Sequence, residues 1–125
     1  DMEAADGYIF ITPEYNEGTS AALKNAIDFL AFEGRRKPAI IIGYSDGSNG
    51  GMYAPIQLRV NLGELEIVAL KKQQIILNAD KVITEEGIAV PSEKLNLERR
   101  FASIIDEILW FAKALKIARE LDMQS

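Results

Sequence analysis

Two stretches of this chain carry the residue types from which chemistry could be built. The first is Thr12-Pro13-Glu14-Tyr15-Asn16, set between an apolar run and an amphipathic one. The second is Gly43-Tyr44-Ser45-Asp46-Gly47-Ser48-Asn49-Gly50-Gly51, which follows the next apolar run in the same manner. Pro13 fixes its own φ and keeps Thr12 extended, so the chain is expected to end a strand there and turn sharply from the sheet. Backbone N–H groups of such a turn can donate to an electron-rich heteroaromatic edge, and Tyr15 can pack on a ring or close the core. In the second stretch, Gly43, Gly47, Gly50 and Gly51 let the backbone approach a flat or anionic ligand, while Ser45 and Ser48 add short donors. Open α/β sheets bind ligands at the carboxyl ends of their strands, so the two turns are expected to border one crevice.

Each stretch also has a plainer reading. The proline turn could be structural, with Glu14 solvated or salt-bridged and Asn16 a turn or pre-helical residue whose amide orders the loop. The glycine-rich loop could be a flexible surface turn. It lacks the Gly-Lys-Ser/Thr ending of a phosphate loop and does not match the dinucleotide fingerprint. Glu14, Glu17 and Asp46 could meet as an acid/base pair of the kind glycosidases use, although carboxylates at solvated strand ends need no catalytic explanation. Asp46 has no neighbouring oxygen ligands at a useful spacing, so no metal is expected.

The composition narrows the choices. Cysteine and histidine are both absent, which removes thiolate nucleophiles, disulfides, imidazole bases and their metal sites. Catalysis would then rest on carboxylates, hydroxyls, amines or a cofactor that brings its own reactive atoms. A formal net charge of -5 argues against a nucleic-acid surface, and Arg35-Arg36-Lys37 and Arg99-Arg100 are too short to make one. No apolar run reaches membrane-spanning length, and the opening residues lack the pattern of a secretory signal. With no cysteine, a reducing cytoplasm is the expected compartment. A length of 125 residues fits one domain that buries roughly 65–70% of its unfolded surface.

The elements that would position these stretches follow from periodicity. Tyr8-Ile9-Phe10-Ile11 and Ala39-Ile40-Ile41-Ile42-Gly43 read as buried parallel strands, and Glu66-Ile67-Val68-Ala69-Leu70 as a third. Ser20 is the expected N-cap of a helix carrying Leu23, Ala26, Ile27 and Leu30 on one face. A weaker helix is expected over residues 52–62, with Pro55 tolerable only in its first turn. Ile75-Ile76-Leu77 and Val82-Ile83 read as short extended pieces. Leu97, Phe101, Ile104, Ile105, Ile108, Ala112 and Leu115 mark one face of a long last helix, on which Trp110 and Phe111 point about 100° apart. Apolar strands alternating with helices imply right-handed crossovers and an α/β sheet covered on both sides. The first strand would leave an exposed apolar edge unless something covers it.

Taken in order, Ala5-Asp6-Gly7-Tyr8-Ile9-Phe10-Ile11-Thr12-Pro13-Glu14-Tyr15-Asn16, Leu23-Lys24-Asn25-Ala26-Ile27-Asp28-Phe29-Leu30, Lys37-Pro38, the glycine-rich loop and Leu58-Arg59 resemble the NADPH-dependent FMN reductases. This flavodoxin-like family includes quinone, azo-dye and chromate reductases. The resemblance covers nearly all of the chain. It implies a three-layer parallel sheet with helices on both faces, bound FMN, NADPH or NADH as hydride donor, and a small-molecule electron acceptor. It further implies that Pro13, Glu14, Tyr15 and Asn16 lie beside the isoalloxazine and that Ser45, Gly47, Gly50 and Gly51 border the same ring, with no catalytic side chain required. A homodimer or homotetramer is implied, with the helices after the two turns at the contact.

Two departures stand out. Ser20-Ala21 occupies a place where the family often has proline. Nothing before Asp1-Met2 corresponds to the family's opening strand and Gly-Ser-rich phosphate loop, so residues 1–125 read as the C-terminal two-thirds of a single domain, expected by itself to hold FMN weakly. The alternative is a non-catalytic flavodoxin-like interaction or scaffold module.

Overall fold

The computed structural model describes residues 2–48 and 50–123. The β-branched and aromatic residues of the first apolar run form β1 (Tyr8–Tyr15), followed by β2 (Gly18–Thr19) and α1 (Ala21–Asp28). The second run forms β3 (Pro38–Tyr44), and the chain continues through α2 (Tyr53–Glu64), β4 (Val68–Ala69), β5 (Gln74–Ile76), α3 (Ala79–Val82) and α4 (Pro91–Asp122). Strands run in the order β2-β1-β3-β4, with β5 also beside β3. β1, β4 and β5 are all parallel to β3; β2 alone is antiparallel, closing a hairpin with β1.

Burial explains the layering. On one face of the sheet Tyr8, Phe10, Ala39 and Ile41 pack with Ile27 of α1 and Leu58 and Leu62 of α2. On the other, Ile40 and Leu70 pack with Ile104 and Ile108 of α4. β3 is therefore apolar on both faces, as a central parallel strand must be. β1 is covered on one face only: Ile9 and Ile11 lie exposed, leaving the apolar edge that the sequence foreshadows.

Several expectations change. β1 does not end at Pro13 but runs on to Tyr15, because proline's φ is compatible with extended backbone and the missing N–H costs only one ladder bond. The reversal falls instead at Asn16 and Glu17, whose φ values of 49° and 61° make a two-residue hairpin turn. The third strand shrinks to Val68–Ala69 and resumes as β5, and Arg59 takes up the carbonyls of Ala69, Leu70 and Lys71 where the strand breaks. Val82 closes the single turn of α3 rather than extending, and Ile83 bridges to Ala89. On α4, Leu97, Ile104 and Ile108 are buried as the periodicity requires, whereas Ile105 is exposed. Phe111 packs on the core and Trp110 faces outward.

Candidate functional site

β1 and β3 are in register up to Pro13 opposite Tyr44, so the hairpin tip and the glycine-rich loop leave the sheet side by side. Thr12 anchors the first turn. Its fully buried Oγ1 accepts from Ser20 N at 3.2 Å and lies 2.8 Å from Thr19 Oγ1, tying β1 to the start of α1. Ser20 in turn caps α1, its Oγ accepting from Leu23 N at 3.2 Å. The Ser-for-Pro departure thus supplies a different but complete start to the helix.

Glu14 joins the two turns. Its Oε2 accepts from Tyr53 N at 2.7 Å and Ala54 N at 3.0 Å, the first amides of α2. The side chain is half-buried and makes no salt bridge among the described residues; it caps a helix that has no capping side chain of its own. Negative charge at the positive end of the helix dipole adds to the two hydrogen bonds. In this arrangement the amides of Tyr53 and Ala54 are taken up by a carboxylate rather than left open to an anion. The paired-carboxylate reading gains no support, since Glu14 Oε2 is held by backbone donors and Glu17 sits at an exposed hairpin tip.

The second loop is shaped by close approach. A Cβ on Gly43 would collide with the Gly51 carbonyl oxygen and lie 2.7 Å from Pro55 Cγ, so glycine lets the loop fold back over the strand end. Gly51 has φ +85°. Gly50 nestles against Ser45, where any Cβ would overlap Oγ, and the same Cβ would lie 3.9 Å from Glu14 Oε1. Ser45 Oγ accepts from Gly47 N at 3.1 Å. β5 and α3 support the loop from outside: Ser45 N donates to Ile76 O at 3.1 Å, Asn78 N to Gly47 O at 3.2 Å, and Ala79 N to Ser45 O at 3.0 Å.

Of the residues singled out, Pro13, Glu14, Gly50 and Gly51 are therefore brought together, with Ser45 and Gly47 holding the loop's shape. Tyr15 and Asn16 stand exposed at the hairpin beside them, and Asn49 lies outside the described residues. Asp46, Ser48 and Gly50 make no hydrogen bond among the described residues. Free amides beside an exposed aromatic ring suit the polar edge of a flat heterocycle; they offer no cation for a phosphate.

Sequence reasoning missed Thr12, Arg59 and the role of Glu14. Arg59 donates to the carbonyls of Ala69 and Lys71 at 3.1 Å each, to that of Leu70, and to Gln73 Oε1. The only available signal was its place in the Leu58-Arg59 pair. At the opposite, amino-terminal end of the strands, burial lowers the Lys37 ammonium pKa and raises that of the Tyr8 phenol. Lys37 Nζ donates there to Met2 O and Glu3 O at 3.1 and 2.6 Å.

A family model described as NADPH-dependent FMN reductase matches residues 1–81. The chain belongs to this family. Among curated relatives, an NAD(P)H-dependent FMN reductase of Schizosaccharomyces pombe is 39% identical over 92 residues, covering 73% of this chain and 44% of that protein. A quinone reductase of Pseudomonas putida is 30% identical over 107 residues, covering 80% of this chain and 54% of the other. The chain spans about half the length of these curated relatives. The crystal structure of an oxidoreductase from Corynebacterium diphtheriae superposes with a TM-score of 0.71 at 18% identity, over 90% of this chain and 58% of that one. That likeness shows the fold, which is the flavodoxin-like α/β arrangement expected. Among the described residues, no helix is long and apolar enough to cross a membrane.

Proposed function

We propose that this reductase-family chain supports NAD(P)H-dependent reduction of FMN, or of quinone-like acceptors through bound FMN, with the two strand-end turns bordering the flavin ring. The observation that carries this reading is the Glu14 bridge, which holds the hairpin end of β1 and the start of α2 as one unit. When bound, FMN would supply the two-electron chemistry between nicotinamide and acceptor. The chain's own part is positional. Pro13, Glu14, Tyr15 and Asn16 form one side of the shelf. Ser45, Gly47, Gly50 and Gly51 form the other. Tyr15 offers its ring as a stacking surface, and the free amides of the second loop offer donors to a polar edge that gains negative charge on reduction.

A homodimer is part of this reading. Tyr53, Ile56 and Val60 are exposed along one stripe of α2, opposite buried Ala54, Leu58 and Leu62, and Phe29 and Phe32 are exposed after α1. A second copy is the simplest cover for such a stripe. We place the protein in the cytoplasm, which suits a cysteine-free chain.

Purified full-length protein is expected to be yellow, to retain FMN, and to bleach when NADPH is added without oxygen. Colourless protein that neither takes up FMN nor consumes NADPH or NADH would overturn the proposal. Light scattering on the same sample tests the dimer.

A further inference from the structure

Away from the two turns, a groove runs between α4 and the outer edge of β5. Its apolar part, about 340 Å³, is lined by Met52, Ile75, Leu77, Val82 and Leu97, with Arg100 and Glu93 at its borders. Arg100 also borders an adjoining hollow of about 310 Å³, whose other polar groups come from Lys72, Gln73, Gln74, Arg99 and Ser103. Among the described residues, no carboxylate lines that second hollow. Both volumes lie at the lower end of small-ligand sites, which span about 300–1,000 Å³.

The charges in the groove are unequally satisfied. Lys72 is neutralised by Glu107 at 2.8 Å and donates to Ser103 Oγ at 2.8 Å. The side chains of Arg99 and Arg100 have no ion pair or hydrogen bond among the described residues. Arg100 is thus an unengaged guanidinium placed where an apolar channel meets a donor-rich hollow. Glu93 lies two helical turns away on the same face of α4, about 10 Å along the axis. Among the described residues its Oε2 is met only by Asn96 Nδ2 at 3.4 Å.

We propose that this groove binds a monocarboxylate with an aryl or short alkyl body. Its carboxylate pairs with Arg100, its body covers Met52, Leu77 and Leu97, and Glu93 repels a second acid group at the far end. Arginine is suited to this task because its planar fork takes a carboxylate through two parallel hydrogen bonds. The site touches the second loop only where Met52 follows it and where Ile76 supports it, and it involves neither the hairpin tip nor residues 45–51, so it does not depend on the protein's use of a flavin.

The test is calorimetric titration of full-length protein with 4-phenylbutyrate, beside 4-phenylbutanol, inorganic phosphate and the dicarboxylate suberate. The proposal expects saturable binding of phenylbutyrate, and at least about tenfold weaker binding of the alcohol and of suberate, the loss of one charge-assisted pair. Arg100→Gln should weaken phenylbutyrate by a similar factor while its melting temperature stays at that of the wild type, because the side chain is exposed and unpaired; Arg100→Lys should recover only part. Equal binding of acid and alcohol, an unchanged Arg100→Gln, phosphate that competes as well as phenylbutyrate, or no binding at all would each overturn it. Displacement of phenylbutyrate by FMN would also overturn it, by placing the ligand in the flavin site.

Discussion

The Glu14 carboxylate lies 2.7 Å from the backbone nitrogen of Tyr53, 39 residues further along the chain. One side chain thereby fixes the distance between the hairpin that ends β1 and the helix that follows the glycine-rich loop. Glu14→Ala should cost about 1–2 kcal/mol, the usual penalty for losing a cap at a helix start. Glu14→Gln keeps an acceptor oxygen and should cost less. Urea unfolding of the three proteins measures this directly. An alanine variant within about 0.5 kcal/mol of wild type, the range of ordinary surface changes, would show that the cap is idle.

Arg59 acts at longer range. Its guanidinium gathers three carbonyls in the break between β4 and β5, which lets β5 rejoin β3 and support Ser45 from outside. Arg59→Met should destabilise the protein by about 2–3 kcal/mol, the scale of charge-assisted hydrogen bonds left unmade. Hydrogen exchange should quicken at Ile76 and Ser45 more than at Ala39 or Ile40. Arg59→Lys should rescue little, because a compact ammonium cannot span three carbonyls.

Asp6 supplies a pH test. Its Oδ2 accepts from Lys116 Nζ at 2.7 Å and its Oδ1 from Arg119 at 2.7 Å, joining the start of β1 to the end of α4. The Lys116 hydrogen bond is the main reason that the carboxyl sits below its ordinary pKa. A carboxylate depressed in the folded state adds stability above its unfolded pKa of about 3.9, and that stability is lost as pH falls through the lower folded value. Wild type should therefore melt higher than Asp6→Asn at neutral pH, and the two curves should converge in acid. Parallel curves down to the lowest pH measured would contradict the assignment.

What the sequence made legible was local. The apolar runs around Ile9 and Ile41, the Ser20 cap and the i, i+3, i+4 spacing from Leu97 to Ile108 all act within a few residues, and each appears in place save for Ile105, which is exposed. The residue types that follow the two apolar runs located the two loops that the sheet sets side by side, and the resemblance implied what they border. What stayed hidden depends on distant partners. Nothing near Glu14 announces that Tyr53 and Ala54 will need an acceptor, and nothing near Lys71 announces Arg59. β1 outran Pro13 because Gly18 and Thr19 return to pair with Tyr15 and Glu14, a hairpin signalled only by Asn16-Glu17. Proline's local effect was overruled by that pairing.

The central claim is that both turns meet one flat ring, and amide hydrogen exchange on full-length protein with and without FMN tests it most directly. FMN should slow exchange together in two segments, residues 14–17 and residues 46–51, and Tyr15→Ala should reduce the protection in both. Protection confined to one segment, or appearing only elsewhere in the chain, would contradict the claim.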